Sequence, residues 1–305
     1  MRTHRRGIFS VLFLVLRFIF FYHVLMRIIR FIDDTNTIRF GHQLDADFAD
    51  LLSDSPLLGG KPTGEHVTIQ KLLCPIIPTA IYCIGLNYRK HAEETGAELP
   101  RWPVLFMKNP GAINHPGDPI VLPACSTGPE VDYECELAVV IGRAAKNVPE
   151  SRALDYVLGY TVANDVSARR WQKHSGGGQW VRGKSFDSFC PFGPAIVTST
   201  PRQSESSSAV LGSLADYIPD PQSLALRTTL NGDIMQDANT NDMIFTVAQL
   251  IAELSKDMTL LAGSILLTGT PSGVGVARNP PVFLQPGDTV TCSIQGLGEL
   301  TNPVE

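Results

Sequence analysis

Short apolar runs set off by turn residues dominate the chain from residue 80 onward, at 80–86, 104–107, 137–141, 157–163, 195–198, 224–230, 265–268 and 289–294. Apolar, β-branched-rich runs bounded by Gly, Pro, Asn or Asp read as strands, and Pro286-Gly287-Asp288 is one such boundary. Upstream, residues 27–40 read as two short strands around the polar turn Asp33-Asp34-Thr35-Asn36, and Pro and Gly at 56–61 punctuate the chain before the next apolar run. Helical periodicity is rarer. Residues 246–256 place Val247, Leu250, Ile251 and Leu254 on one face and predict a packing helix. Tyr88-Arg89-Lys90-His91-Ala92-Glu93-Glu94 has helical composition. Many strands with few helices predict a mixed, β-dominated α+β fold. The serine-rich stretch 198–213 predicts a mobile surface loop.

Residues 8–26 break this pattern, being mostly apolar but interrupted by Arg17 and His23 and preceded by Arg2, Arg5 and Arg6. The length approaches that of a spanning helix. A central Arg, however, costs about 2.5 to 3.5 kcal/mol on insertion scales, and there is no A-x-A-like cleavage site. A membrane anchor, an interfacial helix and a mis-assigned start all stay open.

Composition narrows the class. A chain of 305 residues with 44% hydrophobic content holds a large core, in one substantial domain or one with a small satellite. A net charge of -5 with scattered Lys and Arg leaves no footprint for DNA or RNA. Six cysteines without C-x-x-C spacing, largely in apolar runs, suit buried thiols, and there is no N-x-S/T sequon. Both favour a reducing, cytoplasmic setting, with a membrane-anchored or a mitochondrial location as the alternatives.

Candidate chemistry begins at Asp132-Tyr133-Glu134-Cys135-Glu136-Leu137-Ala138-Val139-Val140. Residues two apart on a strand point the same way, so Glu134 and Glu136 share a face with Ala138 and Val140. A solvated strand end is the plain alternative for this pair. A third acid, Asp165, ends another apolar run. Three carboxylates without Cys or His describe a hard-cation site, with Mg2+ the default and Mn2+ or Ca2+ open. His91 and Glu94, three apart, would share a helix face, where a carboxylate fixes an imidazole's tautomer and raises its basicity. An exposed ion pair is the alternative.

Residues 178–185 formally match the phosphate-loop pattern G-x-x-x-x-G-K-[ST] through Lys184. That reading fails on context, because the stretch before is polar and two prolines and a glycine come after, where a helix would be needed. Arg169 offers a second cationic donor for a substrate carboxylate, or a surface ion pair. Gly269 and Thr270, in Thr268-Gly269-Thr270-Pro271, offer a turn suited to a carboxylate or keto oxygen, or a plain turn.

Taken with Ile84-Gly85-Leu86-Asn87-Tyr88, the blocks 164–169, 184–187, 191–194 and 243–245, and Gly273-Val274-Gly275, these motifs resemble the fumarylacetoacetate hydrolase family. The likeness is to its short members, which include acylpyruvases, oxaloacetate decarboxylases and oxaloacetate tautomerases, and runs from about residue 26 to 305. It implies a β-roll catalytic domain at 76–305, a small N-terminal domain at 27–75, and an extension at 1–26 that the family lacks. By position it implies that Glu134, Glu136 and Asp165 bind the metal, that His91 and Glu94 activate water on a lid, and that Lys184 faces the substrate. Lys108, Gln179 and Tyr88 are lesser pocket candidates by the same likeness.

The implied reaction is metal-dependent hydrolysis of a C–C bond in a 1,3-diketo acid or acylpyruvate, through an enolate held at the metal. Oxaloacetate decarboxylation or enol–keto tautomerisation at the same site is the alternative, and an inactive scaffold of the same fold is the rival of another class. The family also implies a small keto-acid partner and a homodimer. One departure is Leu260-Leu261-Ala262-Gly263-Ser264, where members carry a Pro-Gly-Asp turn.

Overall fold

The computed structural model describes residues 27–174, 178–199, 218 and 220–305. The segment 8–26 and nearly all of the loop expected at 198–213 therefore lie outside the described residues. Among the described residues no helix is long and apolar enough to cross a membrane.

The first hairpin forms for a local reason. Between β1 (Arg27–Ile32) and β2 (Ile38–Gln43), the Asp33 carboxylate accepts the Thr35 N–H at 2.9 Å and the Thr37 N–H at 2.8 Å, while Asn36 adopts a left-handed φ of 59°. An Asp that bonds the backbone ahead of it, then an Asn tolerant of positive φ, is turn chemistry. Next come β3 (Phe48–Leu52), β4 (Pro62–Thr68), β5 (Lys71–Leu73), β6 (Ile81–Gly85), α1 (Arg89–Glu94), β7 (Val104–Lys108) and β8 (Ile113–Asn114). The middle of the chain supplies β9 (Val131–Asp132), β10 (Cys135–Ile141), β11 (Val157–Asn164), β12 (Ser167–Ala168), α2 (Arg169–His174), α3 (Val181–Lys184) and β13 (Cys190–Thr198). Last are β14 (Ala225–Leu230), β15 (Asp233–Asn239), α4 (Val247–Leu254), β16 (Ile265–Leu267), β17 (Thr289–Ile294) and β18 (Gly298–Pro303).

The β-dominated α+β expectation holds. Twelve strands form one mixed sheet with the path β4-β3-β2-β1-β13-β11-β10-β16-β6-β7, to which β5 adds on β1 and β8 on β13. A four-stranded sheet, β15-β14-β17-β18, lies beside it, and β9 pairs with β12. Through β1, whose Arg27 stands opposite Val197 of β13, residues 27–73 extend the main sheet.

β10 is central because both of its faces are buried. Its odd positions Leu137, Val139 and Ile141 enter the core beneath α4, and Ala138 and Val140 enter a second core with Phe189, Phe192 and Tyr133. Glu136 shares the parity of Ala138 and Val140, as alternation requires. Glu134 differs from the sequence expectation, since it sits in the step between β9 and β10 rather than in a strand. Its N–H donates to the Asn164 side chain at 3.0 Å, and its carbonyl accepts the Asp165 N–H at 2.9 Å.

α4 is the helix read from periodicity, started by a capping box between Thr246 and Gln249 and burying Val247, Leu250, Ile251 and Leu254. It stops short of the expected residue 256, where Asp257 adopts a left-handed φ of 51°. The departure at residues 260–264 keeps a turn, with Gly263 at φ 79°. All six cysteines are free; five are buried and Cys125 is exposed.

Candidate active site

β10 and β11 run antiparallel with Cys135 opposite Asn164 and Glu136 opposite Ala163. That register brings the beginning of one strand beside the end of the other. Glu134, Glu136 and Asp165 consequently converge, each offering a carboxylate oxygen within 4.8 Å of the others, and all three are buried.

Three cations answer this charge. Lys184 Nζ, at the end of α3, donates to Glu134 Oε2 and to Asp165 Oδ2, both at 2.7 Å. Gly183 lets α3 press onto α2, because a Cβ there would sit 2.4 Å from the Gln172 backbone nitrogen. Lys108, at the end of β7 and 1% exposed, bonds Asp165 Oδ1 and donates to the Val166 carbonyl at 3.1 Å. Arg169 donates through Nε to Asp132 Oδ2 at 2.9 Å and through Nη1 to Gln172 Oε1 at 3.0 Å, with Glu134 Oε1 2.7 Å from Nη1. Asp132 in turn accepts the N–H groups of Gly275 and Val276 at 2.8 and 2.9 Å.

The carboxylates are therefore not equivalent. Burial works against ionising Glu134, yet the Lys184 and Arg169 charges outweigh it and hold its carboxyl down at about 2. Glu136 goes the other way, since burial, with Asp165 and Glu134 alongside, pushes its carboxyl well above the ordinary 4.5. Its one hydrogen bond among the described residues comes from the Gly269 N–H at 2.6 Å. Burial also disfavours a charge on Lys184, but Asp165 and Glu134 more than reverse this and keep it an ammonium. A buried carboxylate with no cationic partner among the described residues, beside two that converge on the same point, is a donor set that fits a hard divalent ion.

Above the cluster lies α1. His91 Nδ1 pairs with Glu94 Oε2 at 3.3 Å, and Glu94 Oε1 accepts the Gly273 N–H at 2.8 Å. In the neutral ring, a Glu94 carboxylate acting as acceptor favours the tautomer with its proton on Nδ1 and the lone pair on Nε2. His91 is 8% exposed and near enough for its charge to be felt at Glu134.

Other sequence-derived candidates fall differently. Arg169 is committed to protein carboxylates. Gly269 spends its N–H on Glu136, and the Thr270 hydroxyl donates to the Cys135 carbonyl at 3.0 Å while accepting from Gln236 Nε2 at 2.9 Å. Gln179 is exposed ahead of α3 and makes no hydrogen bond to the cluster among the described residues. Tyr88 is fully buried in the core that includes Val247 and Leu250. Lys184 ends a helical segment and precedes β13, the reverse of a phosphate loop's strand-to-helix order.

Asp132, Asn164 and Gln236 were not singled out from the sequence. Asp132 carries a signal, since it continues the two-residue period of Glu134 and Glu136. Gln236 carries none, because it arrives from the neighbouring sheet and its Oε1 receives the Cys135 N–H at 3.0 Å.

Known proteins resemble this chain in sequence and in fold. A family described as fumarylacetoacetate (FAA) hydrolase, C-terminal, matches residues 80–305. The mitochondrial oxaloacetate tautomerase fahd2 of Xenopus laevis is 49% identical over 234 residues, covering 76% of this chain and 68% of that protein. The mitochondrial oxaloacetate tautomerase FAHD2A of Bos taurus is 45% identical over 233 residues, with coverage of 76% and 68%. Among solved structures, the 2-hydroxyhepta-2,4-diene-1,7-dioate isomerase of Mycobacterium marinum superposes with a TM-score of 0.72 at 38% identity, covering 92% of this chain and 98% of that one.

Proposed function

The chain belongs to the fumarylacetoacetate hydrolase family, and from that premise we propose that it interconverts the enol and keto forms of oxaloacetate. The observation that carries this reading is the buried carboxylate cluster in which Glu136 has no ion pair among the described residues while Lys184 and Lys108 both donate to the neighbouring Asp165. Such a setting suits a keto acid on which negative charge grows at oxygen. The relatives' named activity turns the balance from C–C hydrolysis, favoured by the sequence, towards tautomerisation.

Glu134, Glu136 and Asp165 would hold a divalent cation, Mg2+ by the all-oxygen donor set, and when bound that ion supplies a Lewis acid for a keto acid. The chain's own residues carry the proton. Going from keto to enol, the C3–H bond breaks, its electron pair becomes the C2=C3 bond, and the C2 oxygen gains a proton. No atom is added or lost overall. Nε2 of His91 takes the C3 proton, Glu94 stabilises the imidazolium that results, and that imidazolium gives the same proton back to the C2 oxygen. Lys184, held as an ammonium, stabilises the oxygen's charge and does not act as the base.

Hydrolysis of an acylpyruvate is the second reading, favoured by the same His91–Glu94 hydrogen bond, because that base would equally activate a water. Proton NMR of enolic oxaloacetate with Mg2+, run beside pyruvate release from acetylpyruvate, separates the two. We expect Glu134→Gln to slow enol–keto exchange by about 10²-fold or more, with the circular dichroism of the fold unchanged. Wild-type exchange in that variant sinks the reading, and faster acetylpyruvate cleavage than exchange hands it to hydrolysis.

A further inference from the structure

The wall beside Lys184 is aromatic, and one glycine makes it so. Phe106 and Lys108 alternate on one face of β7, and Lys108 reaches Asp165, so Phe106 flanks the carboxylate cluster. Lys184 Nζ lies 5.0 Å over the Phe106 ring. Trp180, the residue before α3, meets the same ring edge-on, with centroids 5.3 Å apart and planes at 65°. Trp180 and Lys184 are four residues apart with Trp180 already helical at φ -74° and ψ -27°, so both project from one face of the same turn.

Gly85 stands opposite Val104 on the neighbouring strand β6. A Cβ at Gly85 would sit 2.4 Å from Trp180 Cζ3 and 2.9 Å from Cη2. Gly85 is absent from the glycines with positive φ, so its backbone does not demand glycine. The indole does. None of these three residues is used by the proton-transfer scheme, yet they lie against the ammonium that is.

We propose that Trp180, seated on Gly85 and Phe106, is a specificity-determining wall that limits the substrate to a short chain of about oxaloacetate's size. The proposal rests on the keto-acid reading of the site. A longer 2,4-dioxo acid extending past Lys184 meets the indole, and an unbranched four-carbon diacid does not. Gly85 is a positioning residue that acts only through Trp180.

Enol–keto exchange of oxaloacetate, acetylpyruvate and hexanoylpyruvate tests this in the full-length enzyme with Mg2+. In Trp180→Ala, kcat/KM for hexanoylpyruvate relative to oxaloacetate should rise about 10-fold or more, through KM rather than kcat. Trp180→Leu, which keeps an apolar plug, should rise less, and it serves if the alanine variant fails to fold. Gly85→Ala should also shift the hexanoylpyruvate-to-oxaloacetate preference, by displacing the indole, and in the Trp180→Ala background it should have no further effect. Tryptophan emission gives a readout independent of turnover. Of the three tryptophans, at 102, 171 and 180, the response to oxalate with Mg2+ should vanish in Trp180→Phe and persist in Trp102→Phe. An unchanged preference for chain length in Trp180→Ala, or a Gly85→Ala defect that persists without the indole, overturns the proposal. Should Glu134→Gln leave exchange intact, the keto-acid reading fails instead, and the oxalate response still reports whether a dianion enters beside Trp180.

Discussion

Asp132, Glu134, Glu136 and Asp165 face Arg169, Lys184 and Lys108 across one buried cluster, four acids against three cations among the described residues, so one negative charge is left over. It falls on Glu136, whose raised affinity for its proton comes from burial and two acidic neighbours. Metal binding needs the carboxylate, so the ion must displace that proton. Calorimetric titration of the metal-free protein with Mg2+, repeated at several pH values above the ordinary 4.5 and in buffers of different ionisation enthalpy, should show protons released on binding. Affinity should strengthen as pH rises. Release of no proton at any of these pH values would mean that Glu136 is already ionised and that its neighbours do not raise its hold on a proton. At this scale the sequence was informative where strand periodicity decides orientation, as for Glu136 with Ala138 and Val140, while Glu134 reaches the same cluster from the step before the strand. It was silent where a partner arrives from far along the chain. Asp132 is fixed by N–H groups more than 140 residues away, at Gly275 and Val276. Lys108 is a pocket candidate only by the family likeness, and it is the placement of β7 that brings it to Asp165.

α1 shows what an element needs beyond its own residues. Six residues cannot sustain a helix in water, so its position depends on tethers at both ends. Arg89 donates to the Met243 carbonyl at 2.6 Å, the Lys90 N–H donates to Asp242 Oδ2 at 3.1 Å, and Glu94 closes the far end on Gly273. Gly273 has φ 101°, and a Cβ there would meet the Met235 carbonyl oxygen at 2.2 Å, so this anchor admits no other residue without strain. Glu94→Ala should free the far end, which hydrogen exchange at residues 89–95 would register as lost protection, and should slow exchange of oxaloacetate by about 10- to 100-fold. Glu94→Gln separates tethering from chemistry. Its amide oxygen still accepts from Gly273 and restores protection, while its N–H faces His91 Nδ1 and favours the wrong tautomer. Recovery of both rate and protection would show that Glu94 only holds the helix. Elements with strong apolar patterns, such as β6, β11, β17 and α4, were legible from sequence. β4, PTGEHVT with four exposed positions in succession, and β18, GELTNP, were not, because edge and polar strands take their identity from their neighbours.

Across the whole molecule, the main sheet closes two cores around β10 and leaves the acidic cluster at their seam, where an unanswered charge costs most. Two opposed shifts in this cluster then contribute to the pH dependence of stability in the metal-free protein. Glu134 is held down at about 2, so its contribution is present above the ordinary 4.5 and is lost as pH falls from there towards 2. Glu136 is raised, so in the window above 4.5 the folded state binds more protons than the unfolded chain, and stability falls as pH rises. This pair is therefore most stabilising near its ordinary 4.5, and a bound cation that answers Glu136 moves the optimum towards neutral pH. Glu136→Gln removes the second shift while keeping an oxygen for the Gly269 N–H. Thermal melts from pH 4.5 to 8 should show wild type declining and Glu136→Gln flat by comparison. Mg2+ at 100 times its dissociation constant adds about 2.7 kcal/mol to the wild type, roughly 5 °C for a chain of this size, and should add nothing to the variant. A variant that is more stable without metal and indifferent to it would mean that folding stability was given up at this one carboxylate for the sake of the site. Parallel melts with and without Mg2+ in both proteins would leave Glu136 an ordinary buried acid and remove the reason for assigning an ion to the cluster.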